Sequence, residues 1–283
     1  MIIDRETDYL FLSDLLESGH PRFFQKISKV LRKNGIKFGF LPGTKDIWAV
    51  DYMPIQVSQN KFVQFRYEPD YLMKSKKLRA TITPVSKVCE KIGIKPVRSG
   101  IIIDGGNVVK SKKKVIMTDK IFKENLEYKR QKLLARLNEL LEVEEIIIVP
   151  QEPGDYLGHT DGMVRFYDED SVLINDYSKE RSAYYTELRK TLTRAKLNLI
   201  PIPYNPYQNR SKSSAKGFYI NFLEMKGVIL LPSFGLKDDE IAVKRFQELF
   251  PRSRISVINA NEIAKDGGVL HCISWSIKLG KNF

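Results

Sequence analysis

Cysteine and histidine are scarce in this chain of 283 residues, which has two cysteines, Cys89 and Cys272, and three histidines, His20, His159 and His271. Two isolated thiols make no disulfide framework, and the absence of any CxxC pair excludes the common redox and zinc-ribbon motifs. In a reducing compartment both thiols are free. The few Cys and His residues match no usual zinc spacing, so no metal is expected. Long apolar runs are also missing. The longest, EEIIIVP at 144–150 and GVILLP at 227–232, fall well short of the roughly 20 residues a membrane helix needs. The opening MIIDRETDYLF carries acids where a signal peptide has a basic start and an apolar core. A cytoplasmic protein away from the membrane is the expectation. There is no P-loop, no GxSxG elbow and no HExxH pair, and the glycines after Asp104 lack the GxGxxG spacing and the following helix of a dinucleotide site.

What the chain has is positive charge, formally +13, spread over clusters at Lys74–Arg79, Lys110–Lys114, Lys129–Lys132 and Arg210–Lys216. Two readings stand: a solvated lysine-rich surface, or a footprint for nucleic acid or another anionic surface. No aromatic residues interleave the clusters on a recognisable module, so charge alone does not choose.

The pattern alternates strands and amphipathic helices. Strand-like runs cover Lys37–Leu41, Ile47–Val57, Phe62–Tyr67, Gly100–Val109, Lys114–Thr118, Glu145–Val149, Gly162–Tyr167, Ser171–Asn175, Leu199–Pro203, Phe218–Glu224, Gly227–Leu231, Ile255–Asn259 and Val269–Ile277, all rich in β-branched and aromatic residues. Helical spacing marks 22–33, 84–92, 124–141, 180–197 and 237–250, with Asp238 and Asp239 opening the last. Four segments read as strand, polar turn, strand: VDYMPIQVSQNKFVQFRY, DGGNVVKSKKKVIMTD, HTDGMVRFYDEDSVLIND and YINFLEMKGVILLPSF. A fifth strand start, LHCISWSI, lies near the C-terminus, and the N-terminal residues are placed to supply its partner. Polar or nucleophilic residues mark the five starts, Asp51, Asp104, His159, Asn221 and Cys272, at steps of 53, 55, 62 and 51 residues. Such a repeat predicts five ββαβ units about a pseudo-fivefold axis, a five-bladed α/β propeller, with equivalent starts converging at one end of a central channel. One domain over residues 1–283 follows, with Tyr204–Gly217 (YNPYQNRSKSSAKG) as a polar rim loop.

Each marked residue has an ordinary reading beside a chemical one. His159 and Asp161, two apart at the head of a strand, would face one cavity; alone they are a histidine and an acid in a turn. Cys272 follows Gly267 and Gly268; a lone cysteine is usually a small buried hydrophobe, and a reactive one needs surroundings that favour its thiolate. If 269–277 is a strand, His271 points away from Cys272. Trp48 and Asp51 suit a flat cation, with the ring stacking and the acid pairing, but equally suit a core tryptophan beside a capping acid.

Taken in order, Trp48–Asp51, Asp104-Gly105-Gly106-Asn107, Gly158-His159-Thr160-Asp161, Tyr219-Ile220-Asn221-Phe222 and Gly267–Cys272 resemble the agmatine deiminase and bacterial peptidylarginine deiminase family, within the guanidine-modifying superfamily of pentein fold. The five motifs are individually weak and strong as an ordered set, and they span residues 48 to 272. The resemblance implies Cys272 as nucleophile, His159 as general acid–base, Asp51 and Asp161 as a guanidinium clamp, and Asp104 as the group orienting His159. It implies substrate-binding roles for Trp48, Asn221, Asn107 and Gly268, and no cofactor. The chain departs from the family at Asp104, where glutamate is usual, and at Val50, where arginine is common. Tyr52-Met53 replaces the small residue before the proline, and the chain is short beside agmatine deiminases. These departures bear on the substrate pocket.

The implied chemistry is metal-free deimination of a small guanidine or an arginine side chain through a Cys thiouronium intermediate, with ammonia released. Amidino transfer on the same machinery is a neighbouring alternative. A free-arginine substrate would need a cation for its carboxylate, with Arg165, Arg181 and Arg210 as candidates. A non-catalytic basic pentein that binds RNA or the ribosome is the alternative from another class. The charge favours it; the aligned Cys, His and Asp set speaks against it.

Overall fold

The computed structural model describes residues 1–179, 182–207, 209, 211 and 213–279. Among them lie five three-stranded sheets, one for each expected repeat. The four strand-turn-strand segments are all antiparallel pairs: Ile55–Gln56 with Phe62–Arg66, Val109–Lys110 with Lys114–Thr118, Val164–Phe166 with Ser171–Asn175, and Leu223–Met225 with Val228–Ser233. A third strand completes each sheet: Val97–Ile102, Glu145–Val149, Asn198–Ile202 and Arg254–Asn259 respectively. The first, second and fourth of these run parallel to the middle strand, the pairing a helical crossover produces. The fifth sheet closes as expected from the sequence. Ser274–Ile277 pairs antiparallel with the N-terminal Tyr9–Ser13, which in turn pairs parallel with Lys37–Leu41.

The chain forms two compact units, one of Met1–Ile3 with Asp51–Pro201, the other of Asp4–Val50 with the residues from Ile202 onward. In the first unit, Val63, Phe65, Ile101, Val115 and Met117 from the sheets meet Leu133, Leu137, Leu140 and Leu141 from the helix Arg130–Leu141. In the second, Leu10 and Leu12 of one middle strand and Ile229, Leu230 and Leu231 of the other are fully buried. Each such side chain contributes about 1.5–3 kcal/mol on leaving water. The helix Pro21–Lys33 starts with proline at its first position, where the missing N–H costs nothing, and buries Phe23, Phe24, Ile27 and Leu31. No helix of the described residues is long and apolar enough to cross a membrane.

Several expected elements differ. The run Ile47–Val57 is not a strand but a helical turn, Ala49–Tyr52, followed by the two-residue strand Ile55–Gln56; Pro54 between them has no N–H for a ladder. The run Gly100–Val109 breaks at a 3-10 turn, Gly105–Asn107, made possible by its paired glycines. The expected helix 124–141 is two helices, Lys120–Glu124 and Arg130–Leu141. Buried Asn125 separates them, because its amide serves Ile102 N, Ile102 O and Ile121 O at 2.8, 2.9 and 2.9 Å. Phe218–Glu224 and Val269–Ile277 shorten to Leu223–Met225 and Ser274–Ile277. Glu180 and Arg181, at the start of the expected helix 180–197, lie outside the described residues, and its described part is Ala183–Arg194. Gln208, Arg210 and Lys212 of the loop 204–217 are likewise outside them.

Candidate active site

In the first unit, Asp104 and His159 occupy matching places. Each has extended backbone and stands just before a 3-10 turn, Gly105–Asn107 or Thr160–Gly162, that leads to a short strand. The period-two argument for His159 and Asp161 therefore fails, since Asp161 lies inside the turn. Asn107 ties the turns together. Its Oδ1 accepts from Thr118 N at 2.8 Å and from Thr160 Oγ1 at 2.7 Å, while Thr118 Oγ1 donates to Gly158 O at 2.7 Å.

The imidazole of His159 is buried between two acids. Its Nε2 is 3.0 Å from Asp104 Oδ2 and its Nδ1 is 3.7 Å from Asp51 Oδ1. Asp51 is fixed in turn by Gly106 N–H, which donates to Oδ1 at 3.0 Å. Gly106 must be glycine here, because a Cβ would stand 2.6 Å from His159 Nδ1 and 2.7 Å from Asp51 Oδ1. Asp161, 1% exposed, adds a third carboxylate. Burial alone would lower the His159 pKa, but the charges of Asp51, Asp104 and Asp161, with the Asp104 hydrogen bond, push it up to about 10. His159 is thus an imidazolium at neutral pH, hydrogen-bonded through Nε2 to Asp104 and with Nδ1 close to Asp51.

The second unit carries the thiol. Cys272 and Asn221 lie in turns rather than strands, so the expectation that strand geometry turns His271 away does not apply. Asn221 Nδ2 donates to Cys272 Sγ at 3.1 Å, and Asn221 Oδ1 accepts from His271 N at 3.1 Å and Cys272 N at 3.3 Å. Cys272 O accepts from Val50 N at 3.3 Å, which ties the tryptophan segment to the cysteine turn. Gly268 leaves room for both: a Cβ there would collide with Trp48 Cζ3 and stand 2.9 Å from Cys272 Cβ. Cys272 is half-buried, whereas Cys89 is buried and its thiol is pushed up to about 11 by burial. Cys89 is the inert one.

Three residues near these groups escaped the sequence reading. Asp46, whose Oδ1 accepts from Trp48 N at 2.9 Å, is pushed up to about 7 by burial; an acid two residues before the tryptophan is a signal in retrospect. Lys120 and Tyr71 reach Asp104 from segments with no motif. The lone lysine in the apolar run VIMTDKIF was the only hint. Arg165 is buried on the strand Val164–Phe166, while Arg181 and Arg210 lie outside the described residues. Among the described residues no group of three or more His, Cys, Asp or Glu side chains is arranged to hold a metal ion.

Comparison with known proteins adds family and fold. The model of the Porphyromonas-type peptidyl-arginine deiminase family matches residues 22–277. A relative in Shewanella sp. (strain MR-4), provisionally assigned as an agmatine deiminase, is 26% identical over 187 residues, 56% of this chain and 50% of its own length. The chain thus spans about half the length of that curated relative in the match. Agmatine deiminase of Campylobacter jejuni (C. jejuni) superposes with a TM-score of 0.78 at 20% identity, covering 99% of this chain and 96% of that one. The agmatine deiminase of Enterococcus faecalis gives 0.77 at 15% identity, covering 96% and 93%. These likenesses show the fold: an α/β propeller of the pentein class, as the repeat predicted.

Proposed function

Since the chain belongs to the Porphyromonas-type peptidyl-arginine deiminase family, we propose that it is a hydrolase of guanidino groups, yielding a ureido product and ammonia. In this reading residues 1–283 act as one domain, with Cys272 as nucleophile and His159 as general acid–base. The observation that carries it is the buried imidazolium held between Asp51 and Asp104, 3.7 and 3.0 Å away, with Asp161 alongside. Three buried acids against one imidazolium leave a local negative charge that a guanidinium would neutralise, whatever the +13 of the whole chain.

The mechanism follows from these groups. Asp51 and Asp161 accept the N–H groups of the planar cation and hold its carbon for attack. The Cys272 thiolate adds to that carbon, forming the C–S bond. His159 gives a proton to one nitrogen, the C–N bond breaks, and ammonia leaves a thiouronium on sulfur. Water then gives His159 one proton as its oxygen adds to the carbon. The C–S bond breaks, the thiolate returns, and the second proton passes from the new C–OH through solvent to the released ammonia, leaving the neutral ureido product. Asn221 positions the sulfur, Asp104 orients His159, and Trp48 packs against the substrate beside Gly268. Asn107 acts by holding the turn that carries His159 to the turn after Asp104. A binder of RNA has no need of a hydrogen-bonded thiol, and amidino transfer would need an amine in place of water at the second step.

The test is ammonia release from agmatine, arginine and a blocked arginine peptide by wild type and Cys272→Ala. Turnover of at least one guanidine, lost in the variant, is expected. Release of ammonia by Cys272→Ala at the wild-type rate would overturn the assignment. An amine-dependent product in place of the ureido compound would point to amidino transfer.

A further inference from the structure

Lys120 is an ammonium with 4% of its side chain exposed. Its Nζ donates to Leu157 O at 2.7 Å and lies 3.2 Å from Glu124, 3.3 Å from Asp70 and 3.8 Å from Asp104 Oδ2. It also stands 4.8 Å from the centre of the Tyr71 ring. Tyr71, from the short helix Asp70–Met73, donates its OH to the same Asp104 Oδ2 at 3.2 Å. That oxygen therefore receives His159 Nε2, the Tyr71 hydroxyl and the field of Lys120 together, whereas Asp104 Oδ1 is buried with no hydrogen-bond partner.

Lys120 is also built into the segment that presents His159. It is bonded to the carbonyl of Leu157, and its stem passes Gly158 so closely that a Cβ there would stand 2.7 Å from Lys120 Cδ. The glycine before His159 thus has two reasons to be glycine, a φ of +66° and the passage of this lysine. Burying an ammonium is costly unless it is well paired. Glu124, one turn along the same helix, and the mostly exposed Asp70 would suffice for a structural pair. The third carboxylate within reach of Lys120 is the one bonded to His159.

We propose that Lys120 and Tyr71 are positioning residues that set the charge state of His159 through Asp104 Oδ2. The acids around the imidazole are Asp51, Asp104 and Asp161, and Asp155 Oδ2 accepts the His159 backbone N–H at 3.2 Å. Behind Asp104 stand Tyr71, Lys120, Glu124 and Asp70. Unopposed, the acids would hold the imidazolium proton too tightly for His159 to release it in catalysis. Lys120 offsets the charge of Asp104, and the Tyr71 hydroxyl takes up part of the same oxygen. Both restrain the proton affinity of His159 while fixing a carboxylate one methylene shorter than the family's usual glutamate. Burial would lower the Lys120 pKa, but Asp104, Glu124 and Asp70 hold it above the ordinary value, and burial with the charge of Asp104 keeps Tyr71 neutral.

This role rests on the deiminase reading for its catalytic meaning, but its test needs no turnover. The His159 ring is titrated by NMR, assigned by its loss in His159→Gln among the three histidines of the chain. Tyr71→Phe and Lys120→Met are each expected to raise the midpoint, Lys120→Met by on the order of one pH unit, a tenfold change in proton affinity. Lys120→Arg should return it toward wild type. The alkaline limb of kcat should move upward with the midpoint, and kcat should fall several-fold with KM nearly constant. A merely structural role loosens Asp104 and moves the midpoint down, toward ordinary histidine; that result, or no movement, overturns the proposal. If Lys120→Met does not fold, Tyr71→Phe decides, since it removes one oxygen from a ring that stays packed. A raised midpoint in a protein that releases ammonia from no guanidine would sink the deiminase reading and leave the charge-setting role standing.

Discussion

Asn221 holds Cys272 from both sides of its own amide: Nδ2 donates to the sulfur at 3.1 Å and Oδ1 accepts the Cys272 backbone N–H at 3.3 Å. The donor stabilises negative charge on sulfur, and the acceptor fixes the turn beneath it. Asn221→Asp keeps the shape, removes the donor and sets a carboxylate against the thiolate, so it should slow alkylation of Cys272 by iodoacetamide at neutral pH by roughly tenfold or more. Peptide mapping by mass spectrometry reads the two cysteines separately, and buried Cys89 serves as the unreactive control. Alkylation of the variant at the wild-type rate would remove Asn221 from any part in activating the thiol.

Gly106 offers a sharper cut at the other half of the chemistry. A methyl group there would stand 2.6 Å from His159 Nδ1 and 2.7 Å from Asp51 Oδ1, both well inside contact distance. Gly106→Ala must therefore part the imidazole from the acid. Ammonia release should fall by about a hundredfold or more, because misplacement near 1 Å at a reacting centre costs that much. The thermal midpoint should fall by only a few degrees, the response to a local strain of about 1–2 kcal/mol. Wild-type kcat in this variant would mean that the Asp51–His159 approach is dispensable.

Much of this arrangement was legible in the sequence, and what was not has physical causes. The strand-turn-strand repeat pointed to five units, with N-terminal residues as the partner of the last strand, the place Tyr9–Ser13 takes beside Ser274–Ile277, because β-branched runs and polar turns are local signals. The same patterns misjudged the candidate site positions by one conformational class. Asp51, Asp161, Asn221 and Cys272 lie on helical or irregular turns, not on strands. Turn geometry at Gly105-Gly106 and at Thr160–Gly162 depends on tertiary hydrogen bonds such as Gly106 N to Asp51 and Thr160 Oγ1 to Asn107. Tyr71 was out of reach altogether, since 33 residues separate it from the carboxylate it meets, and Lys120 left only the hint of a lone lysine in an apolar run.

Asp239 should matter for stability rather than chemistry. Its carboxylate accepts from Phe234 N at 3.0 Å, Gly235 N at 2.7 Å, Leu236 N at 3.2 Å and the Tyr219 hydroxyl at 2.7 Å. It thereby joins the end of a strand, the start of the helix Asp238–Leu249 and the tyrosine two residues before Asn221. Asp239→Asn replaces an acceptor oxygen by a donor facing donors, and a loss of about 2–4 kcal/mol in urea unfolding is expected. If the loss is that large, alkylation of Cys272 in the still-folded fraction should remain near wild type. A variant as stable as the wild type would show that the four bonds are redundant.

The charge on His159 ties stability to pH, and the sign is fixed by its surroundings. Burial opposes the imidazolium, but Asp51, the hydrogen-bonded Asp104 and Asp161 outweigh it and carry the folded pKa from the ordinary 6.5 to about 10. A group whose pKa is raised on folding binds its proton more tightly in the native state, so its contribution is complete below pH 6.5. Between there and pH 10 the unfolded chain has given up the proton and the folded chain has not. The advantage then shrinks by about 1.4 kcal/mol per pH unit and is spent above the upper value. Urea unfolding of wild type and His159→Gln near pH 6, 8 and 10 isolates this slope, because other titrating groups act on both proteins. The stability difference should narrow steadily across the window. A difference that stays flat would mean that His159 is not charged between its acids, and the clamp would then have to receive a guanidinium with an unopposed negative charge.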